Sequence, residues 1–332
     1  MQACGGSMVL RLADSGGNTP LALLPGVYSS VLGKLMRAAM VPLALVILVG
    51  VAVGETPNFE SATAKNIKTQ PPSWMLGVWT REWIRQGRVK SSTLDVHYLQ
   101  TPSYFADIRV PKDRPRFAGA ASFSDLTDAD LLILAKQNGF IGSTTMADTV
   151  ATWHHDIQFQ PPDGTEDRGR IQRLGRGRMH EHGLDGSYTE AWRLLADGGQ
   201  RYLVIRTMRS GRLSQSLVVV GDQFVYARNR EKDLPVAASL DTLISSTHPT
   251  RATIVEYLNF ELSVGRVRGD SVSWKIERST LPWREGRHLE FADTIATSAR
   301  SGLVPRNAGD EQWTTPLNTF SLRELEALFG RR

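Results

Sequence analysis

Trp74–Pro115, WMLGVWTREWIRQGRVKSSTLDVHYLQTPSYFADIRVPKDRP, opens the part of the chain that reads as a folded protein, as the first strand and first hairpin of a β-barrel. Leu94–Gln100 and Tyr104–Val110 are two runs rich in β-formers, and Thr101-Pro102-Ser103 between them has hairpin length. If Gln100 pairs with Tyr104, Leu99 meets Phe105, Tyr98 meets Ala106, His97 meets Asp107 and Asp95 meets Arg109. One face is then Leu94, Val96, Tyr98, Tyr104, Ala106, Ile108 and Val110, and belongs in a core. The other carries His97 with Asp107 and Asp95 with Arg109, complementary cross-strand pairs that suit a solvent face. A slip of one residue would exchange the two faces.

Working outward, the 332 residues can bury a large core in one or two domains. The net charge of +5 comes largely from arginines scattered over strands, which argues against a dedicated nucleic-acid face. Ala38–Gly54 is the long apolar run, preceded by Lys34 and Arg37 and ending in small residues. It predicts an export signal or a membrane anchor, and so a protein exported to, or anchored in, a bacterial envelope on the periplasmic side. Met36 is an alternative start to Met1. Cys4, the single cysteine, precedes that run, so the remainder can form no disulfide or cysteine metal site. The expected organisation is an N-terminal extension over 1–54, a Pro-containing linker over 55–72, a barrel over 73–233 and a second β-rich half over 234–332.

Thr127–Asn138 reads as a helix capped by Thr127, and Ala151–Gln160 as a strand with Trp153, His155, Ile157 and Phe159 on one face. Ile171–His182 and Ser187–Leu195 flank the turn Gly183–Gly186; Arg201–Arg209, Leu213–Val220 and Gln223–Arg228 follow as a meander. Leu234–Ser246 suggests a short helix between the halves. Thr253–Val264, Ser271–Arg278 and His288–Ala292 read as strands, and Ser321–Phe329 as a helix with a Ser321/Glu324 capping box.

Gly77-Val78-Trp79 is a G-x-W triplet at the start of the first strand, the signature position of lipocalins and related calycin barrels. Together with Tyr98–Pro111, Gln137–Thr144, Trp153–Pro162 and Tyr188–Trp192, it resembles a family of lipocalin-like proteins of bacteria and fungi that contain paired barrels. The resemblance covers Trp74 to Arg230 and fades afterwards. It implies a mainly β fold, one lipocalin-like antiparallel barrel or two in tandem with short helices, and brings no settled biochemical role.

A barrel of this kind encloses space for one small ligand. Tyr98, Tyr104, Trp153 and Trp192 are the expected ligand-binding wall residues, for an apolar or amphiphilic molecule. A non-enzymatic binding protein is therefore the first expectation; an enzyme using the cavity, or an envelope protein-interaction module, is the alternative. For catalysis the candidates are Glu181, Glu190, His155 and Tyr188. In a simple register Glu181 faces Tyr188 and Met179 faces Glu190, which sets two carboxylates on one side with Trp192, as acid–base work would need. His180 and His182 share a strand face but lack the further ligands of a metal site, so neither metal nor cofactor is expected. The arginine-rich Arg168–Arg178 lacks stacking aromatics, so no specific nucleic acid is expected; the N-terminal segment is the expected membrane contact.

Overall fold

The computed structural model describes residues 69–268, 273–290 and 310–329, all within one compact unit, Ala52–Arg332. The apolar segment Ala38–Gly54, most of the linker and the end of the expected strand His288–Ala292 lie outside these residues. No helix among the described residues is long and apolar enough to cross a membrane.

The first nine strands are β1 (Gly77–Gln86), β2 (Val89–Ser91), β3 (Leu94–Gln100), β4 (Tyr104–Pro111), β5 (Asn138–Ala147), β6 (Val150–Gln158), β7 (Asp167–Gly175), β8 (Arg178–Gly183) and β9 (Tyr188–Ala196). They form one antiparallel sheet in the order β2-β1-β3-β4-β5-β6-β7-β8-β9, and β1 pairs again with β9. With β2 folded back on β1, the other eight strands close a barrel. The end where β1 begins is shut by a single 3-10 turn, Ser73–Met75: Met75 is fully buried and its carbonyl accepts from Trp79 Nε1 at 2.9 Å. Gly77 sits there at φ 140°, with the Ala196 carbonyl 2.5 Å from where a Cβ would stand, so a side chain would block the closure.

A second, open antiparallel sheet is ordered β14-β13-β12-β11-β10-β15, from β10 (Tyr202–Arg209), β11 (Arg212–Val220), β12 (Gln223–Arg228), β13 (Glu261–Arg268), β14 (Ser273–Ser279) and β15 (Glu311–Asn318). The chain thus leaves the barrel between Ala196 and Tyr202, and the strands over 202–228 belong to the second sheet rather than to the barrel. One face of this sheet, with Val204, Val218, Val225 and Leu262, packs on Leu99, Ala106, Ile108 and Val110 of the barrel wall. Its other face, with Ile205, Leu217, Phe224 and Trp274, is covered by α4 (Leu322–Phe329) through Leu325 and Leu328. The Ser321/Glu324 capping box forms as its sequence requires, with the Ser321 N–H donating to the Glu324 carboxylate at 2.8 Å and the Glu324 N–H to Ser321 Oγ at 3.3 Å.

Arg230 ties the two layers. It donates to the Gln158 carbonyl at 2.8 Å, to Phe159 and to the Tyr257 carbonyl at 2.6 Å, and its guanidinium lies over the rings of both Phe159 and Phe260. Burial pulls its pKa down to about 9.

Several expected boundaries move. α1 is only Asp128–Leu134, and Asn138 already begins β5, a strand whose Gly139 and Gly142 hide its β character. Ile171–His182 is not one strand: the chain turns at Arg176-Gly177, with Gly177 at φ 70°, separating β7 from β8. Arg251–Leu258 is a helix, α3, capped by Thr250, where a strand starting at Thr253 was expected; the helix α2 (Leu240–Thr247) precedes it. β15 has no counterpart in the sequence reading.

The register of the first hairpin is also displaced by one residue. Gln100 pairs with Phe105, Tyr98 with Asp107 and Val96 with Arg109. On β3 the expected inward face, Val96 and Tyr98, is retained. On β4 the faces exchange: Phe105, Asp107 and Arg109 enter the barrel, whereas Ala106, Ile108 and Val110 meet the second sheet. Both faces of β4 are covered, so its apolar pattern does not choose between them.

Candidate functional site

The barrel interior is stratified by the alternation of its strands. Toward the closed end lie Trp79, Tyr98, Phe105, Met146, Trp153, Met179 and Trp192, one apolar cluster with buried side chains. Tyr98 is held upright by Trp153 Nε1, which donates to its hydroxyl at 3.0 Å, while that hydroxyl donates to Gln100. Thr144 Oγ1 donates to the same Gln100 side-chain oxygen, Oε1, at 3.0 Å, completing a buried polar chain.

Above it is a charged layer. Arg109 grips Asp107 with two hydrogen bonds of 2.9 and 3.0 Å, the fork geometry of a guanidinium on a carboxylate. Arg81 pairs with Glu190, and Arg109 Nη1 stands 4.0 Å from the same carboxylate. Burial alone would lower the Arg109 pKa; the charges of Asp107 and Glu190 outweigh it and hold the guanidinium protonated. Glu181 and Glu190 are paired directly across β8 and β9, two positions from the expected register but on the expected side, together with Trp192. Glu181 is given a hydrogen by the Tyr188 hydroxyl at 2.7 Å and by no arginine. Burial, reinforced by the charges of Glu190 and Asp167, pushes its carboxyl well above the usual range, and burial likewise raises the Tyr188 hydroxyl.

Toward the open end, His155 stacks on Phe140 at 4.1 Å between ring centroids. Its Nε2 lies 2.9 Å from Asp167 and its Nδ1 2.8 Å from the Gln158 amide oxygen. A bulge between the Ile141 and Gly142 pairings sets this up: Trp153 and His155 keep to the interior, while Ile157 and Phe159, expected on the same face, pack with the second sheet.

Two spaces meet here. An inner cavity of about 20 Å³ is bounded by the Tyr98, Phe140, Trp153 and Trp192 rings, Met179, and the charged Asp107, Arg109, Asp167 and Glu181. An outer groove of about 350 Å³ runs over Trp153, His154, His155, Gln158, Thr165, Glu166 and Asp167. They share Trp153 and Asp167. Two polar atoms within the barrel wall, Trp192 Nε1 and Glu190 Oε2, are buried without a hydrogen-bond partner among the described residues, and neither has surface open to the cavity.

Of the residues singled out from sequence, Tyr98, Trp153, Trp192 and Glu181 line the inner cavity. His155 lines the groove, and Tyr188 and Glu190 contact the charged layer. Tyr104 is elsewhere. It points away from the barrel interior toward the second sheet, under the Arg206 guanidinium, because the hairpin register reverses its face. The cross-strand cluster separates for the same reason: Asp95 and His97 stay together at 3.3 Å on the outer side, and Asp107 and Arg109 go inside. Sequence reading missed Arg81, Asp107, Arg109 and Asp167 as interior groups. The available signal lay on β4, where Asp107 and Arg109 occupy alternate positions between Ala106, Ile108 and Val110.

His180 and His182 point outward: His182 bonds Thr189 at 3.1 Å and Gln172 at 3.2 Å, and His180 lies edge-on to Trp83. The described residues contain no group of three or more potential metal ligands. Comparison with protein-family models, curated proteins and solved structures gives no match to this chain.

Proposed function

We propose that the barrel is a non-enzymatic receptor for a small amphiphilic molecule that enters at the open end, its polar head in the inner cavity and its body along the groove. One observation carries this reading: the aromatic and charged lining of the inner cavity continues into the groove through Trp153 and Asp167. Pockets of this make-up, apolar walls with a few convergent polar groups, are the usual form of small-molecule sites. The inner volume of about 20 Å³ exceeds the roughly 10–15 Å³ needed by one water-sized group but is far below a lipid chain, which favours a short amphiphile over a wholly apolar ligand. A lipocalin-like classification is supported by the closed eight-strand meander, the G-x-W triplet at Gly77–Trp79 and the 3-10 turn that shuts one end.

Acid–base catalysis has less support. Both ring nitrogens of His155 are engaged, so it offers no free nitrogen to a substrate proton.

The test is ligand-observed NMR on the full chain with a library of short amphiphiles, repeated on Trp153→Ala. Saturation transfer to library members that the substitution abolishes supports the receptor reading; a silent library, or binding indifferent to Trp153, refutes it.

A further inference from the structure

The second sheet packs on β3 and β4, and the outer side of β7, β8, β9 and β1 carries a different chemistry. Alternation sends Ile171, Met179 and Trp192 inward, and so sends Arg170, Arg178 and Arg193 outward, where all three are exposed. On β1 the bulge between the Arg81 and Trp83 pairings turns Trp83 and Arg85 outward as well. Lys90 of β2 pairs with Arg85 and stands over the Trp83 ring at 4.4 Å, with the Arg85 guanidinium 5.8 Å from the same ring. His180 meets Trp83 edge-on at 5.5 Å, and His182 follows at 5.7 Å, so the patch is continuous from β2 to β8.

Its charge is one-sided. Among the described strand residues of this face, the carboxylate that answers these cations is Glu82, shared by Arg178 at 3.4 Å and Arg193 at 3.2 Å. Arg168, at the edge, is offset by Glu166 at 3.5 Å. Arg85, Lys90 and Arg170 have no carboxylate partner among the described residues: the first two rest on Trp83, and Arg170 donates to Thr149 Oγ1 at 3.1 Å. The His180 imidazole feels the excess. Burial, and then the charges of His182 and Arg85, hold it below its ordinary value.

An independent observation selects the kind of anion. Leu174 and Leu195 are 47% and 38% exposed, on the outward positions that follow Gln172 and Arg193. Both lie at the end of the face beside the Arg176-Gly177 turn, where Leu194 N–H donates to the Gly177 carbonyl at 2.9 Å. A phosphodiester backbone gains nothing from leucines. Single-stranded nucleic acid binds through a row of stacking rings, whereas Trp83 is already covered by two cations. A lipid surface uses both features, the cations on its phosphates and the leucines at the boundary between head groups and acyl chains.

We infer that this face docks the barrel side-on to a membrane surface rich in anionic phospholipid, Arg85, Lys90 and Arg170 supplying the unneutralised charge and Leu174 with Leu195 the apolar contact. It is independent of the receptor reading above.

Co-sedimentation of the full chain with vesicles of mixed phosphatidylcholine and phosphatidylglycerol, against phosphatidylcholine alone, tests it. The neutral vesicles report whatever the apolar run Ala38–Gly54 contributes by itself. The anionic vesicles are expected to bind at least tenfold more tightly, and to lose that advantage in about 1 M salt, where charges are screened within about 3 Å. Arg85→Gln/Lys90→Gln/Arg170→Gln is expected to cost about a hundredfold on the anionic vesicles, roughly fivefold for each cation removed, and nothing on the neutral ones. Leu174→Ser/Leu195→Ser is expected to weaken anionic binding about fivefold with an unchanged salt dependence. A melting curve for each variant shows that it is folded. Equal binding to the two kinds of vesicle, or anionic binding that the triple variant retains, overturns the inference. An oligonucleotide bound more tightly than the anionic vesicles, and released by the same triple substitution, assigns the face to nucleic acid and overturns it as well.

Discussion

Glu181 and Glu190 stand directly opposite one another across β8 and β9, and only Glu190 has a guanidinium against it. Their inequality sets the chemistry of the barrel interior. Glu190 with Arg81 is a buried ion pair, whereas Glu181, bonded by Tyr188 and facing the charges of Glu190 and Asp167, keeps its proton to higher pH than a free carboxyl group.

The first prediction follows from linkage. The ordinary Glu181 value is 4.5, and the folded value is raised by burial, then by Glu190 and Asp167, with Tyr188 and Arg109 opposing. Above pH 4.5 the unfolded chain therefore releases a proton that the native state retains, and stability falls as pH rises toward the folded pKa. The limiting slope is about 1.4 kcal/mol per pH unit. Glu181→Gln keeps an acceptor for Tyr188 and removes this slope. Urea unfolding should find the variant level with the parent near pH 4.5 and more stable by pH 7.5; identical pH slopes would refute the assignment.

Arg81 provides the second. Arg81→Ala leaves Glu190 buried with only Arg109 Nη1, 4.0 Å away, to balance it. Losing one partner of a buried pair costs about 3–5 kcal/mol, whereas replacing both partners with neutral groups is often tolerated. The double variant Arg81→Met/Glu190→Gln should recover most of the loss in a urea midpoint. A double variant no better than the single would mean that packing, and not charge, is at stake.

Much of the barrel was legible, and what was missed has physical causes. The G-x-W start, the β3–β4 hairpin and the Glu181/Glu190/Trp192 wall were readable because alternation on a strand fixes which residues share a face. The register of the hairpin was not. β4 is covered by the barrel interior on one side and by Val218, Val225 and Leu262 on the other, so Ala106, Ile108 and Val110 look inward from sequence while meeting the second sheet. The same double burial made Asp107 and Arg109 read as a solvent face. β5 was hidden by Gly139 and Gly142, whose low strand propensity conceals a need for close approach. β15, with Pro316 inside it and a partner, β10, about a hundred residues earlier, carries no local signal of its pairing.

Gly142 gives a third prediction. A Cβ there would lie 1.8 Å from the His154 carbonyl oxygen, at the bulge that turns Trp153 and His155 inward and Ile157 outward. Backbone atoms cannot yield as a side-chain tip can. Gly142→Ala should destabilise by about 3 kcal/mol or more, the upper range of overpacking, and shift the near-ultraviolet circular dichroism of the Trp153 environment. A silent substitution would show that the bulge is not held by this contact.

The last prediction concerns the seam between the layers. Arg230 satisfies three carbonyls, two from the end of β6 and the residue after it and one from α3, while its plane rests on Phe159 and Phe260. An unsatisfied buried acceptor costs about 1–3 kcal/mol, so Arg230→Ala should lose roughly 4 kcal/mol or more. Lysine is not a substitute, because a single ammonium cannot span three acceptors in a fixed plane or stack on two rings. Arg230→Lys should therefore recover less than half of the loss. Since the carbonyls lie on both layers, hydrogen exchange should quicken together in β6 and α3, ahead of β8 and β9 on the far side of the barrel. A local effect confined to residues 228–232, or full rescue by lysine, would remove Arg230 from its role as the tie between barrel and sheet.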